Sequence, residues 1–245
     1  MPPSPVGSKP PAPNNHATPP TPQSGDLAVT WAGENLILCG DRAMHWLASS
    51  TLIVADIHFG KCATFRSAGI AMPAGSIESD LERLDALVGR YGARRLLVLG
   101  DFFHARPGRT PAAVEPITAW RARNVGLMIT IVRGNHDRHA GDPPAAWNIE
   151  VIPDSLGEGP FLFVHDPADI PPGESRVALC GHIHPGVRLR DRDGRARTLP
   201  AFLLGDRRGL MPAFGTLTGR SPVPVAPSDR VYVTTPDAVV EIMRR

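Results

Sequence analysis

Five short segments of this chain hold five of its nine histidines together with aspartate and asparagine donors, and each follows an apolar run. The segments are Asp56-Ile57-His58, Gly100-Asp101, Gly134-Asn135-His136-Asp137, His165 and Gly181-His182-Ile183-His184. The runs before them (TLIVA, RRLLVL, GLMITIV, PFLFV and RVALC) are short, bounded by turn residues, and read as buried strands. A donor group at the end of each of five strands restricts the fold to one in which strand ends converge. That is the habit of α/β proteins, which collect ligands beyond the carboxyl ends of their strands.

The rest of the chain fits this frame. LAVTW, NLILC and AMHWL are further strand-like runs, separated by turn signals. Residues 76–91 carry Ile77, Leu81, Leu84, Leu87 and Val88 at helical spacing, with Ser76 as the expected N-cap. Residues 111–124 read as a helix with Pro111 near its start. The C-terminal stretches ARTLPAFLLG and VYVTTPDAVVEIM predict a strand meander ending in an antiparallel pair. Residues 1–25 contain nine prolines and almost no large apolar side chains. Such a segment buries too little surface to offset its chain entropy, so it is expected to be disordered, with one folded domain over residues 26–245.

Composition excludes several classes. The formal net charge is +2, so any attraction to phosphate must come from local clusters. No apolar run approaches the roughly 20 residues needed to span a bilayer, and the N-terminus lacks the apolar stretch of a secretory signal. The three cysteines, Cys39, Cys62 and Cys180, are odd in number and widely spaced, which fits reduced thiols in a cytoplasmic protein.

The donor set itself sets the chemistry. Two Asp, one Asn and four His make a mixed oxygen and imidazole set without sulfur. It suits Mn²⁺, Fe²⁺ or Zn²⁺ better than an all-oxygen Mg²⁺ cage, with Mn²⁺ the first expectation. Seven donors are too many for one tetrahedral ion and suit two ions sharing a carboxylate. Two such ions, roughly 3.5–4 Å apart, can neutralise both the attacking and the leaving oxygen of an in-line displacement at phosphorus.

The ordered series D-x-H, G-D, G-N-H-D, H, G-H-x-H, between about residues 51 and 186, resembles the calcineurin-like metallophosphoesterase family. The resemblance implies a four-layer α/β/β/α sandwich of two mixed sheets flanked by helices. It implies Asp56, His58 and His184 at one metal, Asn135, His165 and His182 at the other, and Asp101 bridging them. It places His136 beside the scissile phosphate as the catalytic group, with Asp137 as its orienting partner. DIHFGKCATFRSAGIAMP, GDFFH and the segment from Pro200 to Gly215 are similar to the ligase-associated DNA-damage-response endonuclease (PdeM) subfamily. That likeness implies DNA as substrate, a repair role, and an ATP-dependent DNA ligase and a helicase as functional partners.

Several neighbours of the motifs are candidates for substrate contact. Lys61 and Arg66 follow the first segment, Arg133 and Arg138 flank the third, and His104 follows the second. Each has a plainer reading as ordinary surface charge or, for His104, as a space-filling residue. The run RLRDRDGRAR, directly after His184 and Pro185-Gly186-Val187, brings five arginines into ten residues. It reads either as a hairpin tracking a nucleic-acid backbone or as a solvated hairpin turning at Asp193-Gly194 as a type I′ turn. His139 and His45 are expected on the surface and in the structural core respectively. Two other functions share the same motifs or the same fold: a nucleotide or cyclic-nucleotide phosphodiesterase or phosphomonoesterase, and a scaffold with a dead site. The scaffold reading predicts missing ligands, whereas all seven are present.

Overall fold

The computed structural model describes residues 25–190 and 192–242. Its first sheet runs in chain order from β1 (Leu27–Trp31) through β2 (Glu34–Cys39), β3 (Ala43–Trp46), β4 (Thr51–Val54), β5 (Arg95–Leu99) and β6 (Met128–Val132) to β7 (Glu150–Ile152). The first four strands pair antiparallel, as short turns require, and β4 to β7 pair parallel. The crossovers carry the helices α1 (Lys61–Ser67), α2 (Ser76–Tyr91), α3 (Pro111–Arg123) and α4 (Asn135–Ala140).

The second sheet holds β8 (Ser155–Glu158), β9 (Phe161–Val164), β10 (Val177–Cys180), β11 (Pro185–Arg190), β12 (Ala196–Leu204), β13 (Arg208–Leu210) and β14 (Ser221–Pro222), with β15 (Arg230–Thr235) and β16 (Ala238–Ile242) attached through β12. It too is mixed: β9, β10 and β13 are parallel, while β11, β12, β15 and β16 form antiparallel pairs. The two mixed sheets and the α/β class are as expected. So is the terminal antiparallel pair.

Alternation along the strands divides the apolar residues into layers. Leu52, Val54, Leu96, Val98, Ile129 and Ile131 of the first sheet face Leu81, Leu84, Leu87, Ile117 and Trp120 of α2 and α3. Their opposite-facing neighbours Ile53, Leu97, Leu99 and Val132 meet Phe161, Phe163, Leu179, Phe202 and Leu204 between the sheets. Complete burial of one such Leu side chain stabilises by about 1.5–3 kcal/mol. The outer face of the second sheet is covered, among the described residues, by irregular segments bearing Ile170, Val223 and Val225 rather than by an α-helix.

Local details depart from the sequence reading in three places. Ser76 is the first residue of α2, not its cap; Gly75 precedes it at φ 81°, and the Ser76 hydroxyl donates to Cys62 Sγ instead. The G-N-H-D segment opens helix α4, and a further short helix, α1, follows the first segment. The hairpin after His184 pairs Arg190 with Ala196, leaving five residues between them, so it is longer than the two-residue type I′ turn expected at Asp193-Gly194. The Pro-rich zone lies outside the described residues except for Gly25, whose carbonyl accepts from Val239 N–H. All three cysteines are buried and free. No helix among the described residues is long and apolar enough to cross a membrane.

Candidate active site and metal centre

Every donor segment lies just past the carboxyl end of a parallel strand. Asp56 and His58 follow β4, Asp101 follows β5, and Asn135 to Asp137 follow β6. His165 follows β9, and His182 and His184 follow β10. The first three segments come from one sheet and the last two from the other, so the site forms only where the sheets meet. Cross-sheet bonds hold that seam: His182 N–H donates to both oxygens of Asp56 (3.2 and 3.0 Å), and Phe214 N–H donates to Ala55 O (2.8 Å).

The backbone at these donors is strained. Asp56, His58, Asp101, His182 and His184 have φ between 49° and 66°, five of the nine non-glycine residues in that region among those described. Left-handed conformations in non-glycine residues cost on the order of 1–3 kcal/mol each and persist where the surroundings hold them. The neighbouring glycines explain how close the segments come. A Cβ on Gly100 would overlap the His165 ring, and one on Gly134 would overlap the Asp101 carboxylate.

The donors form two groups around Asp101. Asp56, His58 and His184 cluster together, as do Asp101, His165 and His182. His184 Nε2 lies 3.2 Å from Asp56 Oδ1. His165 Nε2 lies 3.0 Å from Asn135 Oδ1 and 3.2 Å from His182 Nδ1. Asp101 divides between them: Oδ2 is 3.6 Å from His58 Nε2, and Oδ1 is 3.4 Å from His165 Nε2.

Protonation favours metal ligation. Burial, reinforced by nearby Lys61 and histidines, pushes His58 down to about 2. His165 donates Nδ1–H to Leu99 O at 2.9 Å, which leaves Nε2 with its lone pair toward Asn135 and Asp101. Asp56 and Asp101 are 0 % and 1 % exposed, and their ion-pair contacts are with histidines rather than arginines. Burial raises the Asp101 carboxyl above its ordinary value. Two buried carboxyl groups set among imidazole nitrogens make a mixed oxygen and nitrogen donor set, and two divalent cations fit it.

His136 sits at the open side of this set, its side chain 38 % exposed and Nε2 4.0 Å from Asp101 Oδ2. Its Nδ1–H donates to His104 O at 2.6 Å, so Nε2 faces outward. The resemblance implied Asp137 as the orienting partner of His136. Its carboxylate instead accepts from Phe103 and Gly134 N–H (3.1 and 3.0 Å) and ties the second segment to the third. Burial pushes Asp137 up to about 6 despite those bonds. The residue that orients His136 is His104, through its carbonyl. The His104 ring also stacks on His136 (4.8 Å between centroids), and its Nδ1 lies 3.4 Å from His58 Nδ1. Burial and the neighbouring His136 lower His104 to about 4. No sequence signal identifies a backbone carbonyl in this role.

The other expected substrate contacts separate. Lys61 is half-buried beside Asp101 and Asp56, and burial lowers its ammonium. Arg66 donates to Met72 O and Pro73 O, fastening the loop between α1 and α2. Arg133 makes a two-pronged pair with Asp142 (2.7 and 2.8 Å), and Arg138 lies 3.9 Å from Asp154. His139 is exposed and His45 buried, as expected.

A fold of two mixed sheets, with a shared carboxylate between two imidazole-rich donor groups at their seam, defines a dinuclear metal hydrolase. Residues 49–191 match the sequence profile of the calcineurin-like phosphoesterases. The chain belongs to that family, and it is a metal-dependent phosphoesterase. Among solved structures it is similar to the nuclease MPE of Pseudomonas putida, at 35% identity and a TM-score of 0.77, over 89% of this chain and 100% of that one. Likeness to the phosphoesterase Yfce of E. coli is weaker: 14% identity and a TM-score of 0.39, over 78% of this chain and 97% of that one. The Aquifex aeolicus protein AQ665 stands at 18% and 0.38, over 59% and 81%. No curated protein matches the chain.

Proposed function

We propose that this protein is a two-metal phosphodiesterase that cleaves DNA, and that its metals are Mn²⁺. The observation that carries the proposal is the division of the Asp101 carboxylate between two donor groups, with His136 Nε2 exposed beside it. The substrate class is supported by the similarity to the Pseudomonas putida nuclease over nearly the whole chain. A role in DNA repair in the cytoplasm, beside an ATP-dependent ligase and a helicase, follows from the subfamily motifs.

In this reading Asp56, His58 and His184 would hold one ion and Asn135, His165 and His182 the other, with Asp101 available to both donor groups. When bound, the ions supply Lewis-acid activation of water and neutralise charge on the phosphate. The chain's own groups complete the chemistry. His136, as the imidazolium, keeps Nδ1–H on the His104 carbonyl and delivers the Nε2 proton to the leaving oxygen. Asp137 acts as a positioning residue that holds the backbone of the second and third segments in register. Half-buried Lys61 adds a positive charge near the phosphate.

The test is a side-by-side assay of Mn²⁺-loaded protein with single-stranded DNA, duplex DNA, cyclic nucleotides and a simple monoester. DNA cleavage should dominate; preference for a cyclic nucleotide or monoester would replace the DNA reading. His136→Ala should lose about 10²–10⁴-fold in turnover, the range of general acid–base catalysis, while binding both metals. Wild-type turnover in that variant would remove His136 from the mechanism.

A further inference from the structure

The strand that leaves the metal site carries a row of exposed arginines on a single face. β11 begins one residue after His184 and pairs antiparallel with β12 and parallel with β14. Val187 and Leu189 pack against the apolar cluster on the outer face of the second sheet. Successive strand side chains alternate, so Arg188 and Arg190 point to the opposite face. Gly186 shares their parity, and a Cβ there would meet the Arg220 Cβ at 3.0 Å. Arg220 therefore extends the same row toward the site, and the next residue, Ser221, donates its N–H to His184 O at 3.0 Å. On β12, opposite Arg188 and Arg190, stand Thr198 and Ala196, neither of which neutralises them.

All three arginines are exposed, and no ion pair among the described residues takes them up. Arg190 bonds the turn through Gly194 O at 3.2 Å, which steadies the far end. Exposed arginines with no carboxylate partner among the described residues, in a whole chain of formal charge only +2, concentrate positive potential along one line. That line starts beside a metal ligand, and Arg188 lies about 14 Å of strand beyond His184.

We infer that Arg220, Arg188 and Arg190 form a phosphate-binding track for the nucleic-acid strand leading away from the scissile bond. The track deepens the DNA-cleaving reading above and rests on it. It contacts backbone, not bases, so it acts without regard to sequence. The occupant is a polyanion with regularly repeated charges, and a mononucleotide or small diester is too short to reach it.

The test compares wild type with Arg188→Ala/Arg190→Ala/Arg220→Ala, and with the matching triple Lys variant. Both are assayed on an oligonucleotide and on bis(p-nitrophenyl) phosphate across a salt series. The Ala variant should lose at least tenfold in kcat/KM on DNA at low salt and stay within twofold on the small diester. Its log–log salt slope on DNA should flatten by about 2, close to 0.7 for each lost single-strand contact. The Lys variant, which keeps the charge, should stay near wild type on both substrates. An unchanged DNA rate and slope, or equal loss on both substrates, overturns the track. If wild type itself spares DNA while cleaving the small diester, the DNA reading falls first and takes the track with it.

Discussion

Gly134→Ala isolates the geometric claim on which the metal centre rests. Gly134 has φ −91° and ψ 175°, a conformation that alanine adopts freely, so the substitution carries no backbone penalty. The added methyl would overlap Asp101 Oδ1 and stand 2.5 Å from the Asp101 nitrogen, closer than nonbonded atoms approach. Relief requires moving either the carboxylate or the start of α4, and both disturb the one group shared by the two donor sets. Displacing a supporting group at a metal site costs about 10–100-fold in affinity, or about 1.4–2.7 kcal/mol per ion. Overpacking in the apo fold costs about 1–3 kcal/mol, which lowers Tm by about 2–4 °C per kcal/mol in a chain of this size. The assay is thermal unfolding with chelator and with Mn²⁺ in large excess. The variant should still melt cooperatively without metal, but the Mn²⁺-induced rise in stability should shrink by up to about 2.7 kcal/mol per ion. Gly89→Ala is the control: beyond the local backbone of its own helix, no described atom lies within 4 Å of where its Cβ would stand, and in α2 it should stabilise by about 0.5–1 kcal/mol. A Gly134→Ala protein with wild-type metal affinity and turnover would refute the argument that Asp101 is held by close approach.

Two further predictions address the body of the fold. Neither nitrogen of His45 has a hydrogen-bond partner among the described residues; the ring stacks on Tyr91, and burial lowers it from 6.5 to about 4. The unfolded chain therefore binds a proton between about pH 6.5 and 4 that the native state refuses, and stability falls with pH through that window at about 1.4 kcal/mol per unit for this group. His45→Phe should remove this component, so wild type and variant should diverge progressively in acid denaturation curves below pH 6.5; parallel curves would contradict the sign. Trp120, 1 % exposed under α2 with Nε1 on Asp85 (2.6 Å), packs on the side of the first sheet away from the second. Trp120→Ala should cost about 3–5 kcal/mol in denaturant unfolding while leaving small-diester kcat unchanged well below its Tm; an early loss of kcat would link that helix layer to the site.

Much of the site was legible in the sequence because strand ends and donor types are local signals. Asp56, His58, Asp101, Asn135, His165, His182 and His184 each follow an apolar run; six of them fall in the two clusters at the seam, and Asn135 joins through its contact with His165. The α2 face from Ile77 to Val88 was readable for the same reason, since helical periodicity depends on neighbours three and four apart. The arginines were harder. Arg133 and Arg66 stand beside motifs, yet their guanidinia go to Asp142 and to loop carbonyls, because long side chains turn to the nearest acceptor in space. Only strand parity, read together with the packing of Val187 and Leu189, put Arg188 and Arg190 on one face with Arg220.

By itself, then, the sequence determined the donor inventory, the strand behind each donor and the hydrolytic chemistry those donors allow. Tertiary structure alone decided that Asp101 turns one oxygen to each group, that the His104 carbonyl orients His136, and that Asp137 holds backbone instead. The physical reason is range. Residue types and periodicity act over a few positions, whereas His182 meets Asp56 across 126 residues, at a distance set by two sheets packing face to face.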